Sequence, residues 1–498
     1  MLAEAFSNLF QVDVLLICAL GVIGGIAIGA LPGLTATMGV ALLLPLTFGM
    51  SHVSGILLLI CIYFGAIYGG SISAILLRTP GTPAAAVTTL DGFAMAKEGN
   101  AKKALMISTL SSGIGGFISV IILIFLAPVM AGWALQFSAP ESFALAFFGL
   151  SIITSIAGGS LVKGLITGVV GLIIATVGID PVSGITRFTF GNVQLLGGLS
   201  FIPIMIGLFA ASEVFKTMES IHMRDVMKVT VSKIGLKWQE FKMILATILR
   251  STGIGTFIGM IPGAGGDVAA FVSYNEAKRF SKRKEEFGKG SMAGVAAPES
   301  SNSATTGGAM IPLLTLGIPG DAVTAVLLGA FMVQGLQPGP LLFQNNGDVV
   351  YSLFLGMLLS NMLIIVFGLI GIRYFIKILA IPKEYLTLSI LVLCVIGAYA
   401  LNNNFFDVWV MLISGVIGYF MQRYGYPLSP VILALILGPM AESNLRRALT
   451  MSDGSLSIFF TRPIAATLII LAILTLFLPI VRSMLKNRKN KKDSTVST

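Results

Sequence analysis

The chain has 498 residues, 55% of them hydrophobic and only 11% charged, with a formal net charge of +10. A soluble globular domain carries roughly a quarter charged residues, so the composition excludes that class. Apolar runs that recur from end to end, each long enough to cross a hydrocarbon core of about 30 Å, predict an all-α polytopic membrane protein with about twelve transmembrane segments. A transmembrane barrel would need short alternating segments instead.

The first apolar run covers residues 14–30. Its flank lacks the positive region of a cleaved signal peptide, so it reads as a retained span. It ends in Gly29-Ala30-Leu31-Pro32-Gly33 and resumes, after Thr35 and Thr37, over residues 40–48. A run over 53–77 stops at Arg78-Thr79-Pro80-Gly81, and Lys97, Lys102 and Lys103 form the first basic loop. Apolar stretches follow at 104–127, 143–156, 165–178 and 199–215, then a basic connector. The pattern restarts with a run over 244–260 leading into Pro262-Gly263-Ala264-Gly265-Gly266-Asp267. A charged loop at 278–289 precedes a run over 292–316 that ends in Gly317-Ile318-Pro319-Gly320-Asp321. Further runs cover 351–372, 385–401, 406–420, 428–438 and 464–481. The expected organisation is a first membrane repeat (1–215), a basic cytoplasmic connector (216–243), a second repeat (244–447), a final span (448–481) and a basic cytoplasmic tail (482–498).

Four matches occur in the same order in both halves. Gly29-x-x-Pro32-Gly33 answers Gly259-x-x-Pro262-Gly263, and Gly70 with Pro80-Gly81 answers Gly308 with Pro319-Gly320. Pro140-Glu141 roughly answers Pro382-Lys383, and the Gly168/Gly171 stretch answers Gly415/Gly418. The basic loops swap places: between the two breaks in the second half, after the second break in the first. The positive-inside rule then makes the halves inverted, with the N-terminus periplasmic and the C-terminus cytoplasmic. Arg446, Arg447 and Arg462 fall on the wrong side of that topology.

Inverted repeats with broken helices or re-entrant hairpins are an architecture of secondary transporters, with the site near the midplane. The N-terminal end of a half-helix offers free N–H groups and about half a positive charge, which suits a carboxylate. Small residues at the breaks let backbone approach a ligand closely. Pro32, Gly33, Thr35, Thr37, Thr79, Pro80, Gly81, Pro262, Gly263, Ala264, Gly265, Gly266, Pro319 and Gly320 are therefore expected at the substrate. Arg78 can pair a carboxylate bidentately or extend to the interface.

Residues 298–320 carry the densest polar run, and polar groups at membrane depth are tolerated only against protein or water. Asn302, Ser303, Thr305 and Thr306 are expected to bond substrate. Glu299, Ser300, Asp267 and Asp321 are expected to couple an ion, Na⁺ or H⁺. For Glu299 a helix-capping role competes evenly, and for the two aspartates capping or turn roles lead.

His52 and His222 lie near span ends, and Cys18, Cys61 and Cys394 lie within apolar runs. Neither set suits catalysis, a transition metal or a disulfide framework. No glycine pair carries the Gly-Lys-Ser/Thr ending of a phosphate cradle. No cofactor and no enzymatic activity are expected. The Lys and Arg residues sit in loops between spans, so nucleic acid is not an expected partner. An intramembrane enzyme would need a nucleophile–base pair or metal ligands at depth, and an importer of another small anion without a binding protein is the nearer alternative.

The stretches GALPGLTATMGVALLLPLTF, GGSISAILLRTPGTPAA, GMIPGAGGDVAAF and PESSNSATTGGAMIPLLTLGIPGDAVTAVLLGA resemble the large membrane subunit of tripartite tricarboxylate transporters, the TctA type. The resemblance covers nearly the whole chain. It implies a bacterial inner-membrane importer of citrate or other carboxylates driven by Na⁺ or H⁺. It also implies a small membrane partner (TctB type) and a periplasmic binding protein (TctC type).

Overall fold

The computed structural model of the chain describes residues 10–31, 34–151, 160–180, 183–219, 235–378 and 383–476. The expected Pro32-Gly33 break, residues 220–234 of the connector and the tail from 482 lie outside the described residues. The protein is an all-α polytopic membrane protein. Its helices are α1 (Val12–Ala30), α2 (Ala36–Leu43), α3 (His52–Leu77), α4 (Ala85–Met95), α5 (Ala101–Ala134), α6 (Ala139–Ser151) and α7 (Leu161–Ala175). After a two-residue antiparallel ladder, β1 (Gly178–Ile179) with β2 (Thr186–Arg187), comes α8 (Phe201–Glu219). Then follow α9 (Trp238–Met260), α10 (Gly265–Phe280), α11 (Met292–Leu316), α12 (Ala322–Val333) and α13 (Pro340–Asn345). The last are α14 (Gly347–Ile378), α15 (Lys383–Asn402), α16 (Phe405–Arg423), α17 (Ser429–Met451) and α18 (Pro463–Leu476). Among the described residues, seven helices are long and apolar enough to cross a membrane.

The chain divides into two units, each drawn from two stretches. Unit 1 takes residues 1–135 and 202–419; unit 2 takes 136–201 and 420–498.

Unit 1 is organised around two long helices that solvent and lipid barely touch. α3 is buried along most of its 26 residues, and α11 is buried from Gly294 to Thr315. Side-chain oxygens close the N-termini of both: Ser51 accepts from the Ser54 N–H, and Ser291 from the Gly294 N–H. Each long helix is crossed at close range by a glycine-faced helix. A Cβ on Gly25 or Gly29 of α1 would stand 2.4 or 2.1 Å from the Ile62 or Ala66 carbonyl oxygen. A Cβ on Gly255 or Gly259 of α9 would stand 2.2 or 2.7 Å from the Ser301 or Thr305 carbonyl oxygen. It is the same crossing twice. α9 follows α1 at +230 (25 to 255, 29 to 259), and α11 follows α3 at +239 (62 to 301, 66 to 305).

The register departs by one residue from the sequence expectation. Gly69 meets the Ile26 carbonyl as Gly308 meets that of Thr256, so Gly69, not Gly70, answers Gly308. Gly70 answers Ala309: Gly81 packs against Gly70 as Gly320 packs against Ala309. The contacts are also reciprocal, α2 lying on α12 and α10 on α4.

In unit 2, α17 packs on α6 and α7. Gly171 lets α7 reach the Val431 backbone of α17, and Ala144, Ala448, Phe459, Ala465 and Ile469 form an apolar cluster.

Candidate functional site

Within each half, the described residues at the breaks lie against one another. α9 ends at Met260, and the chain turns through Gly263 (φ +80°) and Gly265 (φ +68°), conformations that glycine adopts without a Cβ clash. The Gly263 N–H donates to the Gly320 carbonyl at 2.7 Å, which ties the two breaks of the second half together. In the first half the Gly81 N–H donates to the Gly70 carbonyl at 3.2 Å, and a Cβ on Gly81 would lie 2.1 Å from the Gly29 carbonyl oxygen.

Four short or half-length helices start at these corners, and they differ in how they start. α2 is capped by Thr35, whose Oγ1 accepts from the Met38 N–H, and α12 by Asp321, whose Oδ1 accepts from the Thr324 N–H. α4 and α10 follow Ala84 and Ala264 and receive no side-chain cap. The first N–H groups of α4 donate to backbone instead, Ala85, Ala86 and Val87 to the Thr82, Pro83 and Ala84 carbonyls at 3.1, 3.2 and 3.3 Å, so it is the start of α10 that offers N–H groups to an anion.

The repetition of contacts at these offsets isolates one more difference. The Tyr63 hydroxyl donates to Asp321 Oδ2 at 2.6 Å. At +239 Asn302 stands for Tyr63, and at −239 Thr82 stands for Asp321. These shorter side chains make no such link: Asn302 Oδ1 and Thr82 Oγ1 are buried and make no hydrogen bond, and neither does Thr79 Oγ1. Asn302 is 2% exposed and Thr82 5%. Gly266, at the uncapped start of α10, has room for no Cβ because Asn302 Oδ1 would lie 2.3 Å and Thr305 Oγ1 3.0 Å from it. Buried polar atoms are rarely left unpaired, and these three are among seven such side-chain atoms in the described residues.

The other expected residues are placed as follows. Arg78 closes α3 in the left-handed region (φ 57°), where the second half has Gly317 (φ 69°) closing α11. It is exposed, and its guanidinium lies 5.8 Å from the centre of the Phe93 ring. Pro80 is exposed, Pro319 and Gly320 are buried, Thr37, Pro262 and Ala264 are half-buried, and Asp267 is exposed in the first turn of α10. The hydroxyl run of α11 is buried, and three of its members turn back onto their own helix, while Ser301 Oγ makes no hydrogen bond. Ser300 donates to the Ala296 carbonyl at 2.8 Å, Thr305 to that of Asn302 and Thr306 to that of Ser303, at 2.5 and 2.7 Å. Ser303 is 6% exposed.

Glu299 is held from across the fold. Its carboxyl accepts from Thr88 at 2.5 Å and from Ser108 and Ser112 at 3.1 and 3.0 Å. One turn beyond Thr88, Asp91 is fully buried and takes four donors. Its Oδ1 accepts from the N–H groups of Gly288, Gly290 and Ser291, and its Oδ2 from the Tyr274 hydroxyl. Sequence reasoning missed Asp91, Thr88, Ser108, Ser112 and Tyr63. For Asp91 a signal existed: it is the single charged residue between Arg78 and Lys97.

Unit 2 holds a separate ionic cluster. Arg187 binds Asp180 at 2.6 Å and Glu442 at 2.9 Å, and Arg446 binds the same two acids at 2.9 and 2.8 Å. These acids, Asp180 first, hold the Arg187 guanidinium above its ordinary pKa range. The adjoining cavity is ≈ 40 Å³, room for water but far below the ~300 Å³ of small ligand pockets. Arg462 is bound in turn by Ser138 and Glu141. Arg446 and Arg462, which fall on the wrong side of the sequence-based topology, are thus both engaged in ion pairs.

Residues 15–433 match the family described as the Tripartite tricarboxylate transporter TctA family. The chain is 40% identical over 469 residues to an uncharacterized 52.8 kDa protein in the TAR-I ttuC' 3'region of Agrobacterium vitis, covering 94% of this chain and 93% of that one. It is 39% identical over 234 residues to an uncharacterized protein in the TAR-II ttuC' 3'region of the same organism, covering 47% of this chain and 97% of the relative. No solved structure matches.

Proposed function

The chain belongs to the tripartite tricarboxylate transporter TctA family, and from that premise we propose that it is the translocation subunit of an ion-gradient-driven carboxylate importer in a bacterial inner membrane. A periplasmic binding protein delivers the substrate, and a small membrane subunit completes the complex. The two halves of unit 1 are inverted across the bilayer, about twelve segments in all counting re-entrant hairpins, with the N-terminus outside and the C-terminus inside. Unit 1 moves as an elevator-like core. The observation that carries the reading is the uncapped start of α10 with the unpaired Asn302 oxygen beside it, together with the unpaired Thr79 and Thr82 oxygens in the break before α4. A carboxylate accepts from the N–H groups at the start of α10 and from the hydroxyls, while the Asn302 side chain orients it.

The test separates function from folding. Thr82→Val removes a buried hydroxyl that has no partner, so stability should hold or rise by about 1 kcal/mol. A hydrogen bond to a charged group is worth about 1.5–3 kcal/mol, so uptake with the partner subunits should fall roughly tenfold or more. Asn302→Ala should lower uptake alike. Wild-type uptake in both variants would remove them from the site.

Arg78 supplies a second prediction. A non-glycine residue in the left-handed region is strained by about 1–2 kcal/mol, and an exposed cation–π contact returns about 0.5–1 kcal/mol. Arg78→Gly should therefore leave the unfolding midpoint in detergent unchanged or slightly higher, while uptake falls. Backbone strain kept at such a corner is what a substrate contact would explain. A variant that transports normally would make Arg78 an interface residue.

A further inference from the structure

Glu299 is 1% exposed and forms no ion pair with any described residue. Its surroundings are hydroxyls from other helices: Thr88 of α4, and Ser108 and Ser112 of α5. Ser108 is in turn 2.6 Å from Ser71 of α3. The titratable groups on the helices packed around it are engaged elsewhere. Tyr68 of α3 bonds Thr109, Asp91 of α4 takes Tyr274 of α10 and three backbone N–H groups, and Lys103 of α5 binds Glu240 of α9. Arg250 of α9 lies over the Phe280 ring, Asp267 of α10 is exposed, and Asp321 caps α12. An ionised carboxylate buried without an ion-pair partner is strongly disfavoured. It needs a proton or a metal cation.

The spacing separates these two. The hydroxyl oxygens stand 2.5–3.1 Å from the carboxyl oxygens, and those separations hold hydrogens. A cation seated between the oxygens would have to push them apart. The helices that carry them have no slack, since a Cβ on Gly115 of α5 would lie 2.3 Å from the Ser300 carbonyl oxygen of α11. A proton needs no room. A hydroxyl that donates to the carboxylate can turn and accept from the acid.

We propose that Glu299 is the proton carrier of the transport cycle, with Thr88, Ser108 and Ser112 holding its carboxyl in both states. On one side of the membrane a proton from water bonds to a carboxyl oxygen and cancels its charge. On the other side the O–H bond breaks, the proton returns to water and the carboxylate re-forms. This rests on the transport reading and names its coupling ion.

The experiment uses proteoliposomes holding the chain with its two partner subunits and labelled di- and tricarboxylates, citrate included. One pH unit, acid outside, supports about tenfold accumulation per proton carried. Glu299→Gln keeps the hydrogen-bonding shape of the acid but holds no exchangeable charge. The variant should still exchange internal for external carboxylate and should lose the roughly tenfold accumulation, whereas Glu299→Asp should recover part of it. Accumulation by the Gln variant under a pH gradient would overturn the proposal. So would loss of exchange as well, which would put Glu299 at the substrate or in the fold, or wild-type accumulation driven by a Na⁺ gradient and indifferent to pH. Wild-type protein that exchanges none of these carboxylates would sink the transport reading itself.

Discussion

Valine at Gly255 should leave almost no folded protein, and alanine there should lower the unfolding midpoint clearly. A Cβ at Gly255 would lie 2.2 Å from the Ser301 carbonyl oxygen and 2.7 Å from the Ser301 Cα. These are backbone atoms, which cannot rotate away, so α9 must lift from α11. That lift also breaks the Gly259–Thr305 and Gly308–Thr256 contacts further along the crossing. In a bilayer, helix association relies on close packing at small residues, and overpacking a tight contact costs about 1–3 kcal/mol or more. Against a total stability of about 5–15 kcal/mol, one methyl is damaging and three carbons are decisive. The control lies two residues away. A Cβ on Gly253 meets nothing within 4 Å, and helix propensity favours alanine there by up to about 1 kcal/mol. Thermal unfolding of detergent-purified protein should therefore rank Gly253→Ala at or above wild type and Gly255→Ala below it. The same order for Gly24→Ala, also without neighbours, and Gly25→Ala would show that both crossings carry weight. Equal midpoints for the neighbouring variants would mean that the crossings yield.

The glycine breaks are legible in the sequence because Pro-Gly in an apolar run has few structural uses. Their register is not, because consecutive glycines such as Gly69 and Gly70 look alike until one sees which carbonyl each faces. The hydroxyls of Ser300, Thr305 and Thr306 stand out as polar atoms in an apolar setting. Whether such an atom bonds its own helix or a ligand depends on rotamer and neighbours, and these three bond their own helix. Asn302 is visible by the same reasoning, but its importance comes from what Tyr63 does at the related position, 239 residues earlier. The partners of Glu299 are invisible for a different reason. Thr88, Ser108 and Ser112 lie 187–211 residues away along the chain and are ordinary small residues of apolar helices. Only the packing of α4 and α5 on α11 assembles them.

Replacing Asp91 by alanine should free the basic loop before α11, with effects that reach Glu299. Four donors converge on this carboxylate: the N–H groups of Gly288, Gly290 and Ser291 at 2.8, 2.9 and 2.8 Å, and the Tyr274 hydroxyl at 2.8 Å. Gly288 and Gly290 have φ of +85° and +108°, which side chains rarely adopt. A Cβ on Gly294 would stand 2.1 Å from Asp91 Oδ2. The loop is thus shaped around the carboxylate, at the helix end where the backbone dipole favours a negative charge. Alanine leaves all four donors without their acceptor, and each that stays buried costs about 1–3 kcal/mol. Asp91→Asn keeps one acceptor but brings an NH₂ into a ring of donors, so it should lose about 1–3 kcal/mol. The nearest trypsin sites, Lys282, Arg283, Lys284 and Lys289, lie in this loop. Digestion of native protein should therefore cut there fastest in Asp91→Ala, more slowly in Asp91→Asn and slowest in wild type. Thr88 shares α4 with Asp91 and bonds Glu299, so α4 is pinned to α11 at one point and to the loop before it at the other. Loosening the loop end should weaken the pH-driven accumulation that depends on Glu299 even though Glu299 is untouched. If the alanine variant resists trypsin as wild type does, the loop is held by packing such as Phe287 on Tyr274, and the accumulation should then be unaffected as well.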